Sequence, residues 1–187
     1  PMNARTYAAT VRRVLAQLLG DRRTVALILV VPALLVILLS FVYRDYPHGE
    51  QLFERIAVIM IAVLPMAVMF LVTSVTMLRE RASGTLERLW TTSLHRADLL
   101  TGYATAFTLV SVGQSLLLVA VCAWGLGVTI AGSWGWILLT ALLDAFVGVA
   151  LGLLVSAFSR TEFQAVQFMP VVIGVQMFLC GLLVARD

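Results

Sequence analysis

The chain has 187 residues, 61% apolar and 12% charged, against roughly 45–50% and 25% in soluble domains. A soluble globule of this length needs more charged surface, so the composition excludes one and points to a bilayer, whose core takes about 20 consecutive apolar residues per helix. All thirteen basic residues are Arg, and a chain without Lys has no P-loop through which to bind ATP itself.

Residues 3–20 come first and read as an amphipathic helix. Tyr7, Val11, Val14, Leu15, Leu18 and Leu19 fall in one helical sector, with Arg5, Arg13 and Gln17 outside it and Arg12 at its edge. Asn3 suits an N-cap and Gly20 a C-terminal stop. The segment is too polar to span and fits the membrane interface; a soluble partner would suit the same pattern. Span one is 25–43, after Arg22 and Arg23, and contains Pro32, whose freed backbone groups neighbours must satisfy. A polar loop follows with Arg44, Asp45, His48, Glu50, Glu54 and Arg55. Span two is 56–78, with Pro65 near its middle, and leads into a polar segment, 79–98. Span three is 99–128. After a turn at Ala131, Gly132 and Ser133, span four is 134–158. A short loop with Arg160 and Glu162 precedes span five, 163–184, which is broken by Pro170. The expected fold class is an all-α integral membrane protein in one domain, 1–187: an interfacial helix and five transmembrane helices.

Arginine placement near span ends sets orientation. Ten Arg fall on one side (five before span one, four after span two, Arg160) and three on the other (Arg44, Arg55, Arg186). The N-terminus and segment 79–98 are therefore expected in the cytoplasm, with Asp187 outside. The first apolar run is too long for a cleavable signal peptide. Cys122 and Cys180 both sit in apolar stretches and read as packing residues.

Segment 79–98 is the most informative. Gly84 can start a short helix over 84–92, with Glu87 reaching back to its N–H as half a capping box. Leu86, Leu89 and Trp90 then share one face. A two-turn helix is marginal alone in water, so this one needs a surface, either lipid headgroups or another protein.

In this segment Glu80, Arg81, Gly84, Thr85, Leu86, Glu87, Leu89, Arg96, Asp98, Leu99, Leu100 and Gly102 resemble the signature of the ABC-2 type transporter permeases. The resemblance extends over essentially the whole chain, including the Arg-rich helix before span one, and drug-export and antibiotic-resistance permeases look most similar. Ser93 stands where the family often has Pro, and Tyr103 where it often has Lys. The family fold has six spans, so the resemblance implies a sixth beyond Asp187 and a truncated chain. It also implies a permease subunit of an ATP-driven exporter in the bacterial cytoplasmic membrane, carrying a hydrophobic drug, a lipid or a glycan-linked substrate. The implied partners are a separate ATP-binding subunit, which alone holds ATP and Mg, and a second permease subunit. No nucleic-acid partner and no cofactor of its own are implied. Glu80, Gly84, Thr85, Leu86, Glu87, Leu89 and Trp90 become the residues expected to couple to the ATPase.

Asp144 is the one acid deep within a span, and such a residue should face protein or water. Asp144, Gly148, Gly152 and Ser156 recur every four residues, and Gly148 and Gly152 form a G-x-x-x-G pair that permits close helix contact. This ridge reads either as a polar spot on a translocation path or as helix packing. Gln114, Gln164, Gln167 and Gln176 admit the same two readings. Intramembrane catalysis needs paired groups, and the spans offer one Asp and no His. A secondary transporter or channel is the alternative, although such proteins usually carry repeats or several mid-membrane polar residues.

Overall fold

The computed structural model describes residues 4–84 and 96–179. Their regular structure is entirely helical. It comprises α1 (Ala4–Gly20), α2 (Arg22–Arg44), α3 (Gly49–Ala82), α4 (Arg96–Ala120) continued by a π-helical turn (Val121–Gly125), α5 (Trp134–Phe158), α6 (Glu162–Gln167) and α7 (Met169–Leu179). Five segments are long and apolar enough to cross a membrane: α2, α3, Asp98–Gly125, α5 and the α6–α7 pair. The protein is an all-α, multi-pass membrane protein.

Span boundaries differ from expectation where polar residues continue a helix. The loop before α3 shrinks to residues 45–48, turned by His48 at a positive φ of 57°. Glu50, Glu54 and Arg55 are helical rather than looped. At its other end α3 runs through Arg79, Glu80 and Arg81 to Ala82. Glu and Arg are good helix formers, so hydrophobicity ends before helicity does. Thirty-four residues make a helix of about 50 Å, longer than the roughly 30 Å hydrocarbon core, so its charged ends lie beyond that core.

Two other elements end at identifiable residues. Span three stops at Gly125, not at Val128: Leu126 N–H bonds Val121 O at 2.9 Å, and Gly127 adopts a left-handed φ of 65°. The last span breaks at Phe168, two residues before Pro170. Pro170 has no N–H for the carbonyl four residues back, and Phe168 N–H turns to Ala165 O at 3.3 Å. Asp21 caps α2, accepting from the N–H of Arg23 and of Thr24. The Thr24 hydroxyl, 2.7 Å from Asp21 Oδ2, is the main reason this exposed carboxyl is held below the usual carboxylate range.

Helix α3 is the centre of the bundle. Met69, Phe70 and Ile61 are fully buried within it, while Pro32 of α2 and Pro65 of α3 are buried without breaking their helices. One core cluster joins Val14 and Leu18 of α1, Ile28 of α2, Met69 of α3, Tyr103 and Phe107 of α4, and Val149 of α5. A second, toward the other end of α3, joins Val36, Phe53, Ile61, Leu118, Cys122 and Ala141. Helix α5 packs parallel to α3. Gly148 lies on the Met66 carbonyl and Gly152 on that of Phe70, so both helices advance four residues between contacts. Val30, Leu34 and Leu38 on α2 and Val171, Val175 and Phe178 on α7 remain exposed, as lipid-facing side chains do.

Candidate functional site

Consecutive residues on an α-helix point about 100° apart. At the end of α3 that geometry sends Arg79, Glu80 and Arg81 to different neighbours. Arg79 pairs with Glu162 at the start of α6, Nε to Oε1 at 2.7 Å and Nη2 to Oε2 at 3.0 Å. Arg81 Nη1 donates to the Ser156 carbonyl on α5. Glu80, only 6% exposed, accepts from the Tyr103 hydroxyl of α4 and from Arg13 Nη2 of α1 at 3.4 Å. Arg13 also donates to the Tyr103 hydroxyl, and its guanidinium lies 5.7 Å from the Tyr103 ring centroid. One turn of α3 is thus tied to α1, α4, α5 and α6, beside a polar cavity of about 360 Å³ lined by Arg13, Asp21, Thr24, Arg79, Glu80 and Ser83.

The same turn ends the helix. Ser83 donates its hydroxyl to Glu80 O at 3.1 Å, and Gly84 N–H bonds Arg81 O at 3.2 Å. Gly84 has a φ of 69°, the left-handed conformation in which glycine follows a helix C-terminus. An N-cap takes an extended conformation instead, so Gly84 closes α3. Thr85, Leu86, Glu87, Leu89 and Trp90 lie outside the described residues, as does the rest of the short helix expected over 84–92. The chain resumes at Arg96, with Asp98 buried in the first turn of α4.

Helix α1 packs on α4 at this end. Tyr7 and Thr105 hydroxyls meet at 2.7 Å. A Cβ on Gly102 would come within 2.8 Å of Thr10 Cγ2, so glycine at 102 is what lets α1 approach.

Within the bundle, the ridge on α5 has two partners. Gly148 and Gly152 face α3 so closely that a Cβ at Gly152 would lie 2.8 Å from Phe70 O, and one at Gly148 would overlap Met66 O. Asp144 instead meets α7: Gln176 Nε2 donates to both its oxygens at 2.7 Å. Gln114 on α4 is fully buried, and neither end of its amide has a hydrogen-bond partner among the described residues. Gln167 is exposed on α6, and Gln164 accepts from Arg160 N–H at 2.9 Å. Cys122 is buried and free, and Cys180 lies outside the described residues. Arg13 and Tyr103 belong to this cluster although no motif in the sequence marks them as site residues. Their one signal there is polarity, on helices that face Glu80 in the fold.

The family model of the ABC-2 type transporter matches residues 5–187. The chain belongs to that family. The ABC-2 chain is 30% identical over 108 residues to ABC transporter G family member 20 of Dictyostelium discoideum, covering 58% of this chain and 15% of that protein. It is 29% identical over 106 residues to the probable multidrug ABC transporter permease YbhR of Escherichia coli K12, covering 57% of this chain and 29% of that one. The ABC-2 chain therefore spans well under two thirds of either relative. No solved structure matches it significantly.

Proposed function

We propose that this chain is a membrane-spanning permease subunit of an ATP-driven exporter in a bacterial cytoplasmic membrane, with its N-terminus in the cytoplasm. A separate subunit binds ATP and Mg and hydrolyses the nucleotide; a second permease subunit completes the pathway. The cargo class that fits an apolar bundle is hydrophobic: a drug-like molecule, a lipid or a glycan-linked carrier. Family membership supports the permease role, and a relative described as a multidrug permease supports the cargo class. The ten-to-three Arg bias supports the orientation.

The observation that carries the coupling proposal is the position of the charged turn. The connection 85–95 leaves α3 immediately after Arg79, Glu80 and Arg81. A push on that connection by an ATPase subunit is delivered to the end of α3. Ion pairs and hydrogen bonds there pass it to four other helices rather than letting α3 move alone. In this reading Glu80 transmits from inside the bundle, and Leu86, Leu89 and Trp90 provide the outward contact.

Co-purification with the ATP-binding subunit tests the reading. A secondary transporter or channel brings no such subunit. If Trp90 anchors the contact, Trp90→Ala should weaken subunit binding by roughly thirtyfold, as loss of a hot-spot aromatic does, with membrane insertion unchanged. Full binding by Trp90→Ala would reduce segment 84–92 to a headgroup anchor.

A further inference from the structure

Helices α1 and α4 meet through the Tyr7 and Thr105 hydroxyls, and an apolar cavity of about 230 Å³ lies between α1, α2 and α4. Leu15, Leu19, Val25, Leu109, Val110 and Gly113 are among its lining residues. It opens outward: Leu19 is 63% exposed and Leu109 49% exposed. A Cβ on Gly113 would meet no heavy atom within 4 Å, so the glycine leaves room that its neighbours do not fill. Leu15 and Leu19 also line a shallower groove along α1, where the lining includes Tyr7, Val11, Thr105 and one charged residue, Arg12. Arg12 is exposed and has no ion-pair partner among the described residues. Helix α1 itself contains three Arg and no acid.

We propose that this crevice holds one acyl chain of an anionic phospholipid, with the headgroup phosphate at Arg12. Both lining spans are long and apolar enough to cross the membrane, and the cavity faces out from the bundle, where a bilayer supplies lipid. An apolar slot joined through Leu15 and Leu19 to a groove whose one charged lining residue is Arg12 matches an amphiphile with an apolar tail and an anionic head. A cation near the membrane surface attracts anionic lipid, and the buried chain adds apolar contact. The lipid then wedges the interfacial helix against α4, beside the Arg13–Glu80–Tyr103 cluster.

The test is native mass spectrometry of the complete transporter in mild detergent, offered either phosphatidylglycerol or phosphatidylcholine. Phosphatidylglycerol should be retained preferentially, and Arg12→Gln should cut that preference about fivefold. Gly113→Phe, which fills the slot, should reduce retention of both lipids. Equal retention of the two lipids by the unaltered protein, or unchanged retention by Gly113→Phe, would overturn the proposal. Should Gly113→Phe fail to fold, phosphatidylglycerol with a photoreactive acyl chain should cross-link to peptides containing Leu15–Leu19 and Leu109–Gly113. Cross-links confined to other helices would overturn it equally.

Discussion

Glu80 holds two donors while nearly excluded from solvent, whereas Arg79 meets Glu162 where the side chains are 65% and 47% exposed. The two ties should therefore differ in strength. Exposed ion pairs contribute about 0–1 kcal/mol, while stripping a buried group of its partner costs about 1–3 kcal/mol. Glu80→Ala should lower thermal stability in detergent clearly more than Arg79→Ala; the reverse order would remove Glu80 from the centre of the cluster. Asp144 poses a different question, because Gln176 donates to it from another helix. Asp144→Asn keeps an acceptor for that donor and should change stability by under ~1 kcal/mol, the usual scale of interhelical bonds in membranes. Asp144→Leu should lower stability by more. A loss of stability as large in Asp144→Asn as in Asp144→Leu would show that the charge, and not the hydrogen bond, matters.

The glycines of α5 act at the scale of whole helices. A Cβ at Gly148 overlaps the Met66 carbonyl, which is backbone and cannot rotate away, whereas one at Gly132 meets nothing within 4 Å. Gly148→Ala should therefore destabilise by about 1–3 kcal/mol, as overpacking does, and Gly132→Ala should be close to neutral in the same unfolding assay. Equal effects would mean that α3 and α5 are not in close contact. The face was legible in advance, because G-x-x-x-G at helical spacing names one; that α3 is the helix it meets was not. The spans were legible too, because long apolar runs admit one structure in lipid. Their ends were not: Glu50, Glu54, Arg55, Arg79, Glu80 and Arg81 are charged yet helical, and a hydropathy boundary marks where the lipid stops, not where the helix does. Which neighbour each polar side chain meets was also out of reach. Arg13, Glu80 and Tyr103 lie 67 and 23 residues apart in consecutive steps, and only the packing of α1, α3 and α4 brings them together.

For the molecule as a whole, the proposed function depends on which end faces the cytoplasm and on how movement crosses the bundle. Tyr46 and Ala82 flank α3 at opposite ends, and both are exposed. With Cys122 and Cys180 replaced, Tyr46→Cys should react with an impermeant thiol reagent in intact cells, and Ala82→Cys only after permeabilisation. The opposite pattern would invert the orientation. Transmission can then be read without knowing the cargo. If the proposed coupling holds, adding ATP to the assembled transporter should change the labelling rate of Tyr46→Cys, some 50 Å along α3 from the charged turn. Glu80→Gln should leave the ATP-binding subunit attached yet reduce that nucleotide response roughly two- to thirtyfold, the range of coupling energies carried by single residues. An identical response with and without Glu80, or none in the unaltered bundle, would contradict the account.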